Sequence, residues 1–110
     1  MKRFQLFWVN LDPTVGAEIK KTRPCLIVSP DEMNKFLSTV IIVPLTSVPR
    51  GIPTRIPVKA TAQSGLQNNS YAALDQIKTI DKSRLYSFIG EISESEKQIV
   101  SETLKDMFDY

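Results

Sequence analysis

Polar and apolar positions follow a short, strand-like period for most of this chain and take up a helical period only near its end. Phe4 to Leu11 (FQLFWVNL) is aromatic and β-branched with rough alternation, which predicts a first strand that Asp12-Pro13 stops as a turn. A single aromatic on an apolar strand usually packs, so Trp8 reads as a core or interface residue rather than a stacking platform. The segment 12–22 is long for a hairpin connection, a length that accompanies function or mobility, and Gly16 supplies its bend. Pro24 to Val28 is a short apolar run suited to a strand packed on both faces or to a barrel wall. Ser29-Pro30-Asp31-Glu32 has the form of a helix start, and that helix ends near Phe36 or Leu37, because Thr39 to Leu45 (TVIIVPL) reads as the central strand.

Thr46-Ser47 lies at the exit of that strand. Val48 to Arg55 holds two prolines and a glycine, which predicts a surface loop carrying Arg50 and Arg55. Arg55 to Lys59 then fits only an edge strand, given Pro57. Ala62 to Asn69 is turn-like. Ser70 to Leu74 reads as a strand leading into Asp75 to Ile80, Asp81 to Arg84 as a single helical or tight turn, and Leu85 to Ile92 as a last strand with a bulge at Gly90. Ser93 with Glu96 three residues on forms a capping box and opens a C-terminal helix. On that helix Ile99, Val100, Thr103, Leu104, Met107 and Phe108 recur at helical spacing, a face for core cover or dimer contact.

This order predicts a mainly β fold with α: a small, partly open β-barrel with a short internal helix and a terminal helix. At 110 residues the chain is the size of one domain, 1–110. Its apolar runs are far too short to cross a bilayer, and Met1-Lys2-Arg3 is followed by an apolar stretch that Gln5 and Asn10 interrupt, so the expectation is a cytoplasmic protein without a membrane partner. Cys25 is the single cysteine and cannot form an internal disulfide; it reads as a small core residue.

The chain contains no histidine. That excludes the usual serine and cysteine triads, imidazole acid–base catalysis and His-based zinc sites, leaving Arg, Lys, Asp, Glu, Ser, Thr and Tyr to run any chemistry. Neither a metal nor a cofactor is expected. Net charge is only +2, but residues 1–59 hold nine Lys/Arg against four Asp/Glu, and residues 60–110 five against eight. A front half at +5 against a back half at −3 suits a polyanionic partner for the early loops, and on composition alone it suits equally a front half whose Lys2, Arg3 and Lys35 are merely solvated.

Arg23 stands at the mouth of a strand, where Pro24 pushes it towards an extended backbone and holds its guanidinium in place; alone, it reads more readily as a solvated residue before a strand, and only its neighbours can change that. Glu18 to Arg23, Thr46-Ser47 and Asp75-Gln76 are the three features that can converge on one surface.

Leu11-Asp12-Pro13-Thr14, Gly16-x-Glu18, Thr22-Arg23-Pro24, Val43-Pro44-Leu45-Thr46, then Asp75 to Lys82 with Arg84-Leu85 and Ile89-Gly90, in this order and spacing, resemble the MazF/PemK family of toxin endoribonucleases across nearly the whole chain. The resemblance implies an SH3-like or CcdB-like barrel, a homodimer, and metal-independent cleavage of single-stranded RNA, with Arg23 and Thr46 carrying catalysis. RNA supplies its own nucleophile, the 2′-hydroxyl, so the protein has only to position the phosphate and stabilise developing charge. A guanidinium matches phosphate oxygens bidentately and a threonine adds a hydroxyl donor. Glu18 is the candidate base, or the group that orients Arg23. Gln76 reads as a base-edge contact or as a buried amide bonded to its neighbour. Lys20, Lys21, Ser47, Arg50 and Arg55 are the remaining substrate-binding candidates, the cations tracking the RNA backbone. The implied partner is a cognate antitoxin with a disordered, acidic and apolar inhibitory tail. The alternatives on the same fold are a gyrase-poisoning toxin of the CcdB type and a module that binds antitoxin without cutting.

Overall fold

β3 (Thr39–Thr46) is the spine of the molecule, because its eight residues serve three different neighbours. In the computed structural model, which describes all 110 residues, β1 is Gln5–Asn10, β2 Thr22–Ile27, α1 Asp31–Phe36, β4 Arg55–Val58, β5 Ser70–Ala73, β6 Lys78–Asp81, β7 Leu85–Glu91 and α2 Glu94–Phe108. The order across the sheet is β4-β5-β3-β2-β1-β7, with β6 also on β3, and every pairing is antiparallel. The sheet curls without closing. β4, carrying Pro57, is one of its edges, where a missing N–H costs no ladder bond.

Cys25–Ile27 of β2 and Val40–Leu45 of β3 are apolar without interruption because both faces of the sheet are covered there. Leu26, Val43 and Leu45 point to the larger core with Leu6, Ile56, Leu74, Ile92 and Val100. Cys25, Ile27, Val40 and Ile42 point to a smaller core with Val9, Leu11 and Ile80. Each fully buried Leu or Ile contributes roughly 1.5–3 kcal/mol relative to exposure.

Two details go beyond or differ from the expectation. The strand read over Ser70 to Leu74 is β5, on Leu45–Thr46; the segment it leads into opens with a 3₁₀ turn at Leu74–Gln76, and β6 then pairs with Thr39–Ile42. The break falls beside Pro44, which has no N–H to give to either neighbour. The bulge expected at Gly90 sits at its neighbour Ile89, since Leu6 faces Gly90 while Phe7 faces Phe88.

The capping box of α2 forms as read: Ser93 Oγ accepts from Glu96 N, and Ser93 N donates to Glu96 Oε1 at 2.9 Å. The other oxygen of Glu96 accepts from Lys59 N at 2.9 Å, fastening the helix to the end of β4. Val100, Leu104 and Met107 pack on the larger core, whereas Ile99 and Phe108, expected on the same face, are exposed. No helix is long and apolar enough to cross a membrane.

Candidate functional site

Arg23 and Thr46 come together from the start of β2 and the end of β3. Both line a cleft of about 290 Å³ that also takes in Trp8, Ser47, Gln67 and Asn68. Arg23 is half-buried, and its Nε donates to the carbonyl of Lys20 at 2.9 Å, which sets the plane of the guanidinium. It has no carboxylate partner: the ion pairs of the molecule are Arg55–Asp75, Lys97–Glu91 and Lys97–Glu94. Thr46 is 7% exposed and its Oγ1 accepts from Val48 N at 3.2 Å, so its own proton remains to be donated. No Asp or Glu lines the cleft. A single uncompensated guanidinium beside a free hydroxyl donor is suited to an oxyanion, and to a phosphate above all.

The other sequence candidates have different surroundings. Glu18 lines a second hollow, of about 380 Å³, with Gln76 and Asp75. Its Oε1 accepts from Val15 N at 2.8 Å, closing a turn of the 12–22 loop, and the group that orients Arg23 is the Lys20 carbonyl instead. Gln76 uses both ends of its amide on that loop, accepting from Ile19 N at 2.7 Å and donating to the carbonyl of Ala17 at 3.4 Å. Arg55 is not a free cation. It forms a bidentate pair with Asp75, at 2.7 and 3.0 Å, and its side chain is only 10% exposed. The hydrogen bonds that Arg55 donates hold the Asp75 carboxyl below the ordinary 3.8, and the same bonds, accepted by Asp75, raise Arg55. Glu18, Gln76 and Arg55 thus position the loops that flank the cleft. Lys20, Lys21, Arg50 and Ser47 are exposed, and no carboxylate pairs with the three cations.

Cys25 is fully buried, and desolvation pushes its thiol up to about 12, which leaves it an inert core residue. Trp8 departs from the core reading: it is 40% exposed and stands in the cleft. The register explains this, because Trp8 faces Pro24 while Val9, its neighbour, turns into the smaller core. Gln67 and Asn68 were not singled out from the sequence; the signal available was a polar, Gly-containing run between two strands.

Comparison with known proteins gives the chain its family. Residues 2–108 match the family model described as PemK-like, MazF-like toxin of type II toxin-antitoxin system. The endoribonuclease EndoA of Bacillus subtilis is 32% identical over 107 residues, covering 96% of this chain and 91% of that protein. Among solved structures, the Mycobacterium tuberculosis toxin MazF-mt6 superposes with a TM-score of 0.80 at 28% identity, covering 96% of both chains. An endoribonuclease in complex with its cognate antitoxin from Mycobacterial species superposes with a TM-score of 0.78 at 25% identity, covering 96% of this chain and 92% of that one. With its cleft formed where β2 begins and β3 ends, and with a match running almost end to end, this chain belongs to the PemK-like, MazF-like toxins of type II toxin–antitoxin systems.

Proposed function

We propose that this chain is an endoribonuclease toxin that cuts single-stranded messenger RNA at short sequences without a metal ion. The observation that carries the reading is the Arg23 guanidinium, uncompensated by any carboxylate, in one cleft with the Thr46 hydroxyl. The endoribonuclease function of EndoA, a relative over nearly the whole chain, supports it.

The scissile phosphate lies against Arg23 and Thr46. The neighbouring ribose 2′-hydroxyl attacks phosphorus, the P–O5′ bond breaks, and the products are a 2′,3′-cyclic phosphate and a 5′-hydroxyl. Arg23 and Thr46 stabilise the negative charge that builds on the non-bridging oxygens, a contribution worth about 10²–10³ in rate per donor in comparable sites. Arg23 acts electrostatically, through the positive charge of its guanidinium. With no carboxylate in the cleft, water takes the 2′-hydroxyl proton and gives one to the departing 5′-oxygen. Glu18 acts at one remove, by shaping the loop whose Lys20 carbonyl orients Arg23. Lys20, Lys21 and Arg50 follow the backbone, and the indole of Trp8 offers a stacking face to an unpaired base.

The enzyme acts as a homodimer in the cytoplasm and is held inactive by an antitoxin whose acidic, apolar tail occupies the cleft; the solved complex of a related endoribonuclease with its cognate antitoxin supports that partner. The test is incubation of the purified protein with a long single-stranded RNA in EDTA, beside Arg23→Ala. Discrete cuts with cyclic-phosphate ends, reduced at least about 10²-fold in the variant, are expected. No cleavage, or equal cleavage by Arg23→Ala, would overturn the reading and favour the gyrase-poison or binding-only alternative.

A further inference from the structure

The polar turn from Thr61 to Asn68 supplies one wall of the Arg23–Thr46 cleft, and it is held far more tightly than its sequence suggests. Ser64 is 1% exposed and sits at its hub: Oγ donates to the Lys59 carbonyl at 2.9 Å and accepts from Thr61 N at 2.9 Å and Leu66 N at 3.3 Å. The turn lies backbone to backbone on β7. Glu91 N donates to the carbonyl of Gln63 at 3.0 Å, a Cβ on Gly90 would fall 2.2 Å from the Ser64 carbonyl oxygen, and a Cβ on Gly65 (φ +69°) 2.2 Å from that of Ile89. Beyond it, Asn69 Oδ1 accepts from Ala60 N at 2.8 Å and Ser70 Oγ donates to the Asn68 carbonyl at 3.1 Å.

Two groups on this fixed wall have no structural task. Gln67 and Asn68 line the cleft and are exposed, and their side-chain amides join no hydrogen bond within the chain, whereas the neighbouring Asn69 amide is committed. A carboxamide carries a donor and an acceptor side by side, which a phosphate cannot use in full but the edge of a base can. Their neutrality adds nothing to general attraction for the backbone, and a rigid mount is what discrimination between bases requires. We infer that Gln67 and Asn68 read the base next to the scissile phosphate and so determine which sequences are cut. This rests on the endoribonuclease reading above.

The test maps the ends produced from a randomised single-stranded RNA library by the full chain, by Gln67→Ala, Asn68→Ala, Gln67→Glu and Asn68→Asp, and by Arg23→Ala. The expected result is that at least one alanine variant relaxes the base preference at one position beside the cut by about tenfold or more. The matching acidic variant, which keeps the acceptor and loses the donor, shifts that preference to a different base. Unchanged preference in every variant, or a uniform loss of cutting with preference intact, overturns the inference while Arg23-dependent cleavage by the parent leaves the nuclease reading standing. A parent that cuts nothing overturns both.

Discussion

Thr46 shows how much one hydroxyl is asked to do. Its oxygen accepts from Val48 N and thereby fixes the first residues after β3, while its proton is left for the cleft. Thr46→Val keeps the volume but removes both functions, and leaves the Val48 N–H without its partner, at a cost of about 1–3 kcal/mol if no water replaces it. Thr46→Ser keeps both. In single-turnover cleavage, the valine variant should lose about 10²-fold and the serine variant less than about tenfold, with melting curves separating lost chemistry from lost stability. Position at the start or end of a strand made Arg23 and Thr46 candidates in the sequence, but only the resemblance of ordered motifs along the chain gave the pair a catalytic role. The tasks of Gln76 and Arg55 were not: their partners lie 57 and 20 residues away, and only the tertiary fold brings those amides and carboxylates into reach.

At the level of elements, the Arg55–Asp75 pair joins the start of β4 to the 3₁₀ turn that breaks β5 from β6. Thr54 adds a hydrogen bond to the same carboxylate at 3.2 Å. Because the Asp75 carboxyl titrates below 3.8 in the folded protein, its contribution is complete above the unfolded value and disappears as pH falls through the lower folded one. The stability difference between the parent and Asp75→Asn should therefore be constant, at about 0.5–1 kcal/mol, near neutral pH and shrink towards zero in acid below about pH 4. Urea midpoints measured from pH 7 down to pH 3 check this; a difference that does not change with pH would show that the ion pair adds nothing. The strands were legible to within a residue or two wherever alternation or a buried run marked them. The 3₁₀ break was not, since Leu74-Asp75-Gln76 carries no turn-forming glycine or proline and the break falls beside Pro44, 30 residues earlier in the chain.

For the whole molecule, the uneven charge has a measurable meaning. Lys20, Lys21 and Arg50 project from the two loops beside the cleft, free of carboxylates, on the side of the sequence that carries the positive excess. Each that meets a phosphate releases a counterion, so the slope of log affinity against log salt for an uncleavable single-stranded RNA should flatten by about 0.7 for each of Lys20→Ala and Lys21→Ala. Arg55→Ala, whose partner is internal, should leave that slope unchanged. The backbone contact of Gly65 and Gly90 with each other's neighbours has a consequence of another kind. Neither position admits a side chain, so the wall is pinned, yet the two residues that follow Leu66 face solvent and hold nothing together. Mutation can rewrite residues 67 and 68 at little cost in folding, and a lineage of such toxins can drift from one target sequence to another while its architecture stands still.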